Sequence, residues 1–309
     1  MGRIALPRRV AAVLVPPSWP GTLERPLPRR RLGMDYDTSW ARTPVARLGR
    51  AMLVDNLTRP AVRALAAPVV HGREHLDPLE GPAIFAGNHA SHLDTAIVLS
   101  ALPVAMRHKT VVAAAADYFF DRHFKAALWS FALGTIPIER NRVNRQGADL
   151  AASLIEDGWN VVIFPEGGRT PDGWGQEFRG GAAYLARRCG VPVVPFHLRG
   201  TRPILPKGRS RLRPGQVELR FGEALWPRPA TDGAREEDAR RFAARIEAAV
   251  ALLADEAETD WWSARRRAER GATPSPRGPQ ASPWRRAWGL PDSARTDTAR
   301  RRLGPSEPW

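Results

Sequence analysis

The sequence predicts an α/β fold, a mixed, largely parallel sheet flanked by helices. Between residues 51 and 260, short apolar runs bounded by Gly, Pro or polar residues alternate with longer segments of helical spacing. The last of these segments carries one apolar stripe, Phe242, Ile246, Val250 and Leu253, of the kind that faces a core. No internal repeat is present to suggest a solenoid instead.

The expected strands are residues 83–86, 110–114, 135–138, 161–164, 193–197 and 217–221, each four or five residues long and apolar. The expected helices are 95–101, 121–132, 145–157, 180–188 and 236–258. Trp261 and Trp262 close this region, either against the core or at a lipid interface.

The 309 residues carry a net charge of +15, concentrated at the two ends. Residues 1–50 hold ten Arg against three acids, and residues 261–309 eleven against four, so 51–260 is nearly neutral. Both ends are rich in Pro and lack apolar periodicity. We therefore expect three parts: a disordered Arg/Pro-rich tail over 1–50, one domain over 51–262, and a second disordered tail over 263–309. The basic excess suits an anionic membrane surface, although only three of the 47 basic residues are Lys, a bias that GC-rich coding alone produces.

Cys189 is the sole cysteine, which excludes an internal disulfide framework and fits a reducing cytoplasm. Its place where a helix stops before a strand favours a structural thiol over a nucleophile. No run reaches the ~18 apolar residues of a membrane span, so the expected location is cytoplasmic and peripheral, on the inner face of the cell membrane.

Four motifs carry chemistry. In Asn88-His89-Ala90-Ser91-His92-Leu93-Asp94 an imidazole and a carboxylate follow a strand. An imidazole there can accept a proton near neutral pH, and a carboxylate on its other nitrogen fixes the tautomer. On a continuous helix the two side chains would diverge by roughly 140°. His89 is therefore expected in the turn and Asp94 in the first helical turn. Ser91 to Asp94 also satisfies a loose capping box, and His89, His92 and Asp94 are a poor metal set without further ligands.

In Phe164-Pro165-Glu166-Gly167-Gly168-Arg169, glycines free the backbone for a tight turn that, with Arg169, suits a phosphate. Glu166 would be repelled by that phosphate unless paired with an arginine or a substrate hydroxyl, so it is expected to orient. An ordinary Gly-rich loop fits as well. Gly134-Thr135-Ile136-Pro137-Ile138-Glu139-Arg140 is a short strand ending in an Arg that either joins Arg169 or is merely solvated. Val191-Pro192-Val193-Val194-Pro195 reads as core.

The order and spacing of the four blocks resemble the lysophosphatidate and glycerol-3-phosphate acyltransferase family over roughly residues 65–225. The resemblance implies a glycerolphosphate-acyltransferase-like fold and the HxxxxD motif of an O-acyltransferase in phospholipid biosynthesis. It implies His89 as general base on the acceptor hydroxyl, Asp94 orienting it, and Arg140, Glu166, Gly167 and Arg169 binding the acceptor. The partners implied are an acyl-CoA or acyl carrier protein thioester as co-substrate, with no cofactor or metal, and a lipid acceptor, most simply lysophosphatidate. No specific nucleic acid is expected. Phe178-Arg179-Gly180-Gly181 resembles the family's Phe-Lys/Arg-x-Gly.

Two departures bear on the acceptor. Gly168 stands where the family most often has Thr, and Ala113 to Tyr118 lacks the Lys that many members carry. A non-phosphate lipid alcohol is thus the alternative acceptor. An inactive basic membrane- or nucleic-acid-binding protein and a metal hydrolase are the competing classes.

Overall fold

The computed structural model describes residues 33–139, 145–205, 211–229 and 237–290. Seven strands form one sheet: β1 (Val69–His71), β2 (Ile84–Gly87), β3 (Thr110–Ala115), β4 (Thr135–Ile138), β5 (Asn160–Ile163), β6 (Val193–Arg199) and β7 (Glu218–Phe221), in the order β1-β7-β6-β2-β5-β3-β4. From β6 to β4 every pairing is parallel, and β7 turns antiparallel to β6, carrying β1 with it at the edge. The mixed, mostly parallel sheet is the predicted architecture. β1 was not predicted, because its Val-Val-His run at the sheet edge, two of the three residues exposed, is too short to read as a strand.

The helices that matter to the site are α1 (Pro44–Leu53), α2 (Arg59–Ala66), α3 (Leu93–Ala101), α4 (His123–Leu133), α5 (Arg145–Glu156), α6 (Gly181–Cys189), α7 (Ala239–Glu258) and α8 (Trp261–Glu269). Strand alternation divides the core between the two faces of the sheet. Ile84 and Ala86 join Val161, Ile163 and Val193 under α5, α6 and α7. Phe85, Val162, Val194 and Phe196 pack on the opposite face with α2 and α3. Phe85 and Phe196, both fully buried, each meet Phe221 edge-on with centroids 6.2 and 6.4 Å apart. Each such ring contributes about 2–3 kcal/mol through burial alone.

The expected tail boundaries fall inside helices. Arg50 is buried in α1, where its Nη1 donates to the carbonyls of Ala41 at 3.1 Å and Ser130 at 3.4 Å. Thr43 caps α1 by accepting from the Ala46 N–H, and Pro44 occupies the position that needs no N–H. At the other end α8 is docked through the fully buried Ala264 and the Arg267–Asp255 pair at 3.1 Å. Polar ties order these segments, and the apolar spacing that α1 carries, at Val45, Leu48 and Met52, is exposed rather than packed on the core. Residues 1–32 and 291–309 of the expected tails lie outside the described residues. Trp261 and Trp262 stand largely exposed, edge-on to each other at 4.9 Å.

α3 and α6 lie on opposite faces of the sheet, and they follow the neighbouring strands β2 and β5. That divergence is a topological switch point, which opens a crevice at the carboxyl ends of the two strands. Ala86 is paired with Ile163 across the β2–β5 ladder, so the chain reaches His89 and Glu166 at the same distance beyond the sheet.

Candidate active site

β2 ends in a close approach. A Cβ on Gly87 would lie 2.3 Å from the Phe196 carbonyl oxygen, so only glycine fits beside β6 here. The next residue, Asn88, continues the ladder with its side chain, donating from Nδ2 to the Leu198 carbonyl at 2.9 Å and accepting the Leu198 N–H at 2.7 Å. The main chain is thereby released from the sheet one residue before His89.

His89 lies in the turn and Asp94 is the second residue of α3. His89 Nδ1 is 2.8 Å from Asp94 Oδ2, and the same oxygen accepts the N–H groups of Ala90 at 2.7 Å and Ser91 at 2.8 Å. Asp94 is fully buried. It therefore both holds the imidazole and satisfies turn amides at the head of α3, so capping and pairing with His89 are joint rather than rival roles. Ser91 Oγ accepts the Leu93 N–H at 3.2 Å and donates to the Leu205 carbonyl at 3.0 Å. The His89 ring stacks on Phe164 at 4.1 Å with the planes 21° apart. With Nδ1 committed to Asp94, Nε2 is the ring nitrogen available to a reactant.

Glu166 is buried, and its carboxylate turns inward. Oε1 accepts the backbone N–H of His89 at 2.9 Å and Oε2 that of Gln176 at 3.1 Å. Burial pushes its pKa up to about 8, against the pull of the two backbone donors. Both of its oxygens are thus engaged by protein backbone, and no arginine is among these partners. The Thr170 N–H donates to the His89 carbonyl at 2.9 Å, so both peptide groups of His89 are tied to the β5–α6 loop. Gly167 begins the outward turn at φ +71, with the Arg179 guanidinium against it.

A cavity of about 180 Å³ opens beside this pair, lined by His89, His92, Phe164, Gly168 and Arg169 and walled by Ala113 to Ala115 and Tyr118. Trp129 from α4 also lines it. His92 Nε2 is 3.2 Å from the Tyr118 hydroxyl and the two rings stack at 5.7 Å. Burial first, then the charges of Arg169 and His89, lower the His92 pKa to about 4, so it is neutral at physiological pH. Lys125 Nζ sits 4.2 Å from the Tyr118 ring centroid. Arg140 lies outside the described residues. Among the described residues no group of three His, Cys, Asp or Glu side chains is placed to hold a metal ion. Cys189 ends α6, and burial raises its thiol pKa.

The structure thus brings His89, Gly167 and Arg169 to one cavity, with Asp94 and Glu166 buried against the His89 turn. Sequence reasoning missed Gln176 and Thr170, whose backbone amides reach Glu166 and His89 and whose side chains bond within the same loop, Gln176 Nε2 to the Gly168 carbonyl at 3.0 Å and Thr170 Oγ1 accepting the Gly173 N–H at 3.0 Å. It also missed Tyr118, visible only as one end of the segment that lacks a lysine.

Residues 67–199 match the family model described as Acyltransferase. The chain is 34% identical over 167 residues to a 1-acyl-sn-glycerol-3-phosphate acyltransferase of Chlamydomonas reinhardtii, covering 52% of this chain and 47% of that protein. The human 1-acyl-sn-glycerol-3-phosphate acyltransferase alpha is 27% identical over 194 residues, covering 62% of this chain and 65% of its own length. The chain thus spans about half to two thirds of these two relatives. The crystal structure of a 1-acyl-sn-glycerophosphate acyltransferase from Thermotoga maritima superposes with a TM-score of 0.54 at 24% identity, covering 73% of this chain and 84% of that one. The two chains share a fold.

Proposed function

We propose that this protein is an O-acyltransferase that moves a fatty acyl group from an acyl-CoA or acyl carrier protein thioester to the hydroxyl of a lysophosphatidate-like acceptor in phospholipid biosynthesis. The observation that carries the reading is the 2.8 Å contact between His89 Nδ1 and the buried Asp94 carboxylate beside a cavity that also holds Arg169. The names of the relatives support the acceptor class.

Asp94 fixes the tautomer with the proton on Nδ1, which leaves the Nε2 lone pair to take the acceptor's hydroxyl proton. The acceptor oxygen attacks the thioester carbonyl and forms a tetrahedral intermediate. Collapse breaks the carbon–sulfur bond, and the proton on Nε2 passes to the departing thiolate. No acyl-enzyme forms. Arg169 holds the acceptor's phosphate by charge-assisted hydrogen bonds. The wall of Ala113 to Ala115 brings no cation to the cavity, and this favours a neutral lipid alcohol as the second acceptor reading.

Peripheral attachment to an anionic membrane, on the cytoplasmic face, is part of this reading, and an apolar face on α1 supports membrane contact. Val45, Leu48 and Met52 recur at helical spacing, 82%, 65% and 62% exposed. Phe124 at the start of α4 is 81% exposed, and α4 also supplies Trp129 to the cavity. Among the described residues no helix is long and apolar enough to cross a membrane.

The test is thiol release from oleoyl-CoA with lysophosphatidate, comparing the wild type with His89→Ala and Asp94→Asn. Acceptor-dependent release lost in both variants supports the reading, and equal rates in all three overturn it. Replacing lysophosphatidate by monoacylglycerol separates the two acceptor classes.

A further inference from the structure

The loop from Thr170 to Phe178 links β5 to α6 and has no regular secondary structure. It begins one residue after Arg169 and contains Gly173 at φ +104 as well as Gly175. Such a segment keeps one shape only where something outside it supplies the bonds. Thr170 and Asp172 accept the Gly173 and Trp174 N–H groups from within the loop and Arg202 reaches the Pro171 carbonyl, and the chain beyond α8, far past the matched segment, supplies a further set of bonds from outside.

The Arg286 guanidinium pairs with Asp172 through Nε and Oδ2 at 2.7 Å, and Trp174 Nε1 donates to the Arg286 carbonyl at 2.8 Å. The Gly175 N–H donates to the Pro276 carbonyl at 2.8 Å. Gly278, at φ +70, lies so close to the Trp174 indole that a Cβ there would come within 2.2 Å of the ring. A second arm grips the far end of the loop. Arg277 reaches both oxygens of Glu247 on α7, at 2.7 and 2.9 Å, and Glu247 Oε2 accepts the Phe178 N–H at 3.2 Å.

The loop in turn holds the site. Gln176 supplies the N–H on Glu166, whose other oxygen holds the His89 N–H, and the Thr170 N–H binds the His89 carbonyl. Adjoining contacts run from Arg286 to the catalytic turn. We propose that the segment from Pro276 to Leu290 is an intramolecular clamp that sets the acceptor loop, with Arg286 and Trp174 as positioning residues. The proposal rests on the acyl-transfer reading above for its kinetic consequences. The clamp itself is a matter of loop order.

The Arg286–Asp172 pair is partly exposed, so its loss changes global stability little, while displacing a substrate-binding loop is costly to turnover. The experiment uses the full chain: wild type, Arg286→Ala, Arg286→Lys, and Trp174→Phe with Arg286→Ala. Acceptor KM, donor KM and kcat are measured beside hydrogen exchange of residues 168–178. We expect Arg286→Ala to raise acceptor KM about five- to tenfold with donor KM and melting temperature nearly unchanged, Arg286→Lys to recover most of it, and the double variant to add to it. Exchange at Gly175 and Gln176 should quicken in parallel. Wild-type kinetics and wild-type exchange in the double variant would overturn the clamp. If the wild type transfers no acyl group, the functional reading fails, and exchange alone decides: quickening confined to the loop supports the clamp, and none overturns it.

Discussion

Glu166 grips His89 by its backbone N–H at 2.9 Å, leaving the imidazole to Asp94. The two halves of the crevice are joined by main chain, and the buried acid doing the joining has a pKa pushed up to about 8. This gives the protein a stability signature. An acid whose pKa rises on folding binds its proton more tightly in the native state, so stability falls as pH rises from the unfolded value of 4.5 to about 8. His92 and His197, both lowered to about 4 by burial, act in the opposite sense but only below their unfolded value of 6.5. Between pH 6.5 and 8, among these three groups, Glu166 alone still titrates. Urea unfolding should lose about 2 kcal/mol across that window in the wild type and show no such loss in Glu166→Gln.

His89→Ala and Asp94→Asn should reduce acyl transfer by roughly 10²–10⁴-fold. The two differ in structure. Asp94 Oδ2 serves Ala90 and Ser91 as well as His89, so Asp94→Asn also loosens the turn and should lower the melting temperature more than His89→Ala does. Calorimetry on both variants checks the order.

Asn88 is expected to be structural despite its place beside His89. Asn88→Ala strands the Leu198 N–H and carbonyl, both matched to the amide at present. The cost should be about 1–3 kcal/mol in chemical unfolding, with donor KM little changed in the fraction that remains folded.

Val45→Gln, Leu48→Gln and Met52→Gln together should weaken cosedimentation with phosphatidylglycerol vesicles by about tenfold or more without altering thermal unfolding, because all three side chains are exposed. Unchanged binding would remove the apolar face of α1 from the membrane contact.

The central strands and the helices between them were legible because burial on both faces writes continuous apolar runs, as in 193–197 within β6. The His89 and Asp94 positions were legible from spacing, since the pair closes only across a turn. The flanking segments were not. α1 and the residues after α8 are held by arginines reaching carbonyls and carboxylates, as Arg50 and Arg286 do, and composition alone cannot separate such a guanidinium from a solvated one. The role of Glu166 was half legible: an orienting acid was expected, but its partners are amides that any residue carries.

His89 and Glu166 are 77 positions apart, and they meet only because β2 and β5 pair in register. A chain that has formed its helices but not yet paired that ladder lacks the turn to which the proposed chemistry is assigned. Acyl transfer regained during refolding would therefore mark a late, long-range event, lagging helical signal by the time the sheet needs to close around its centre.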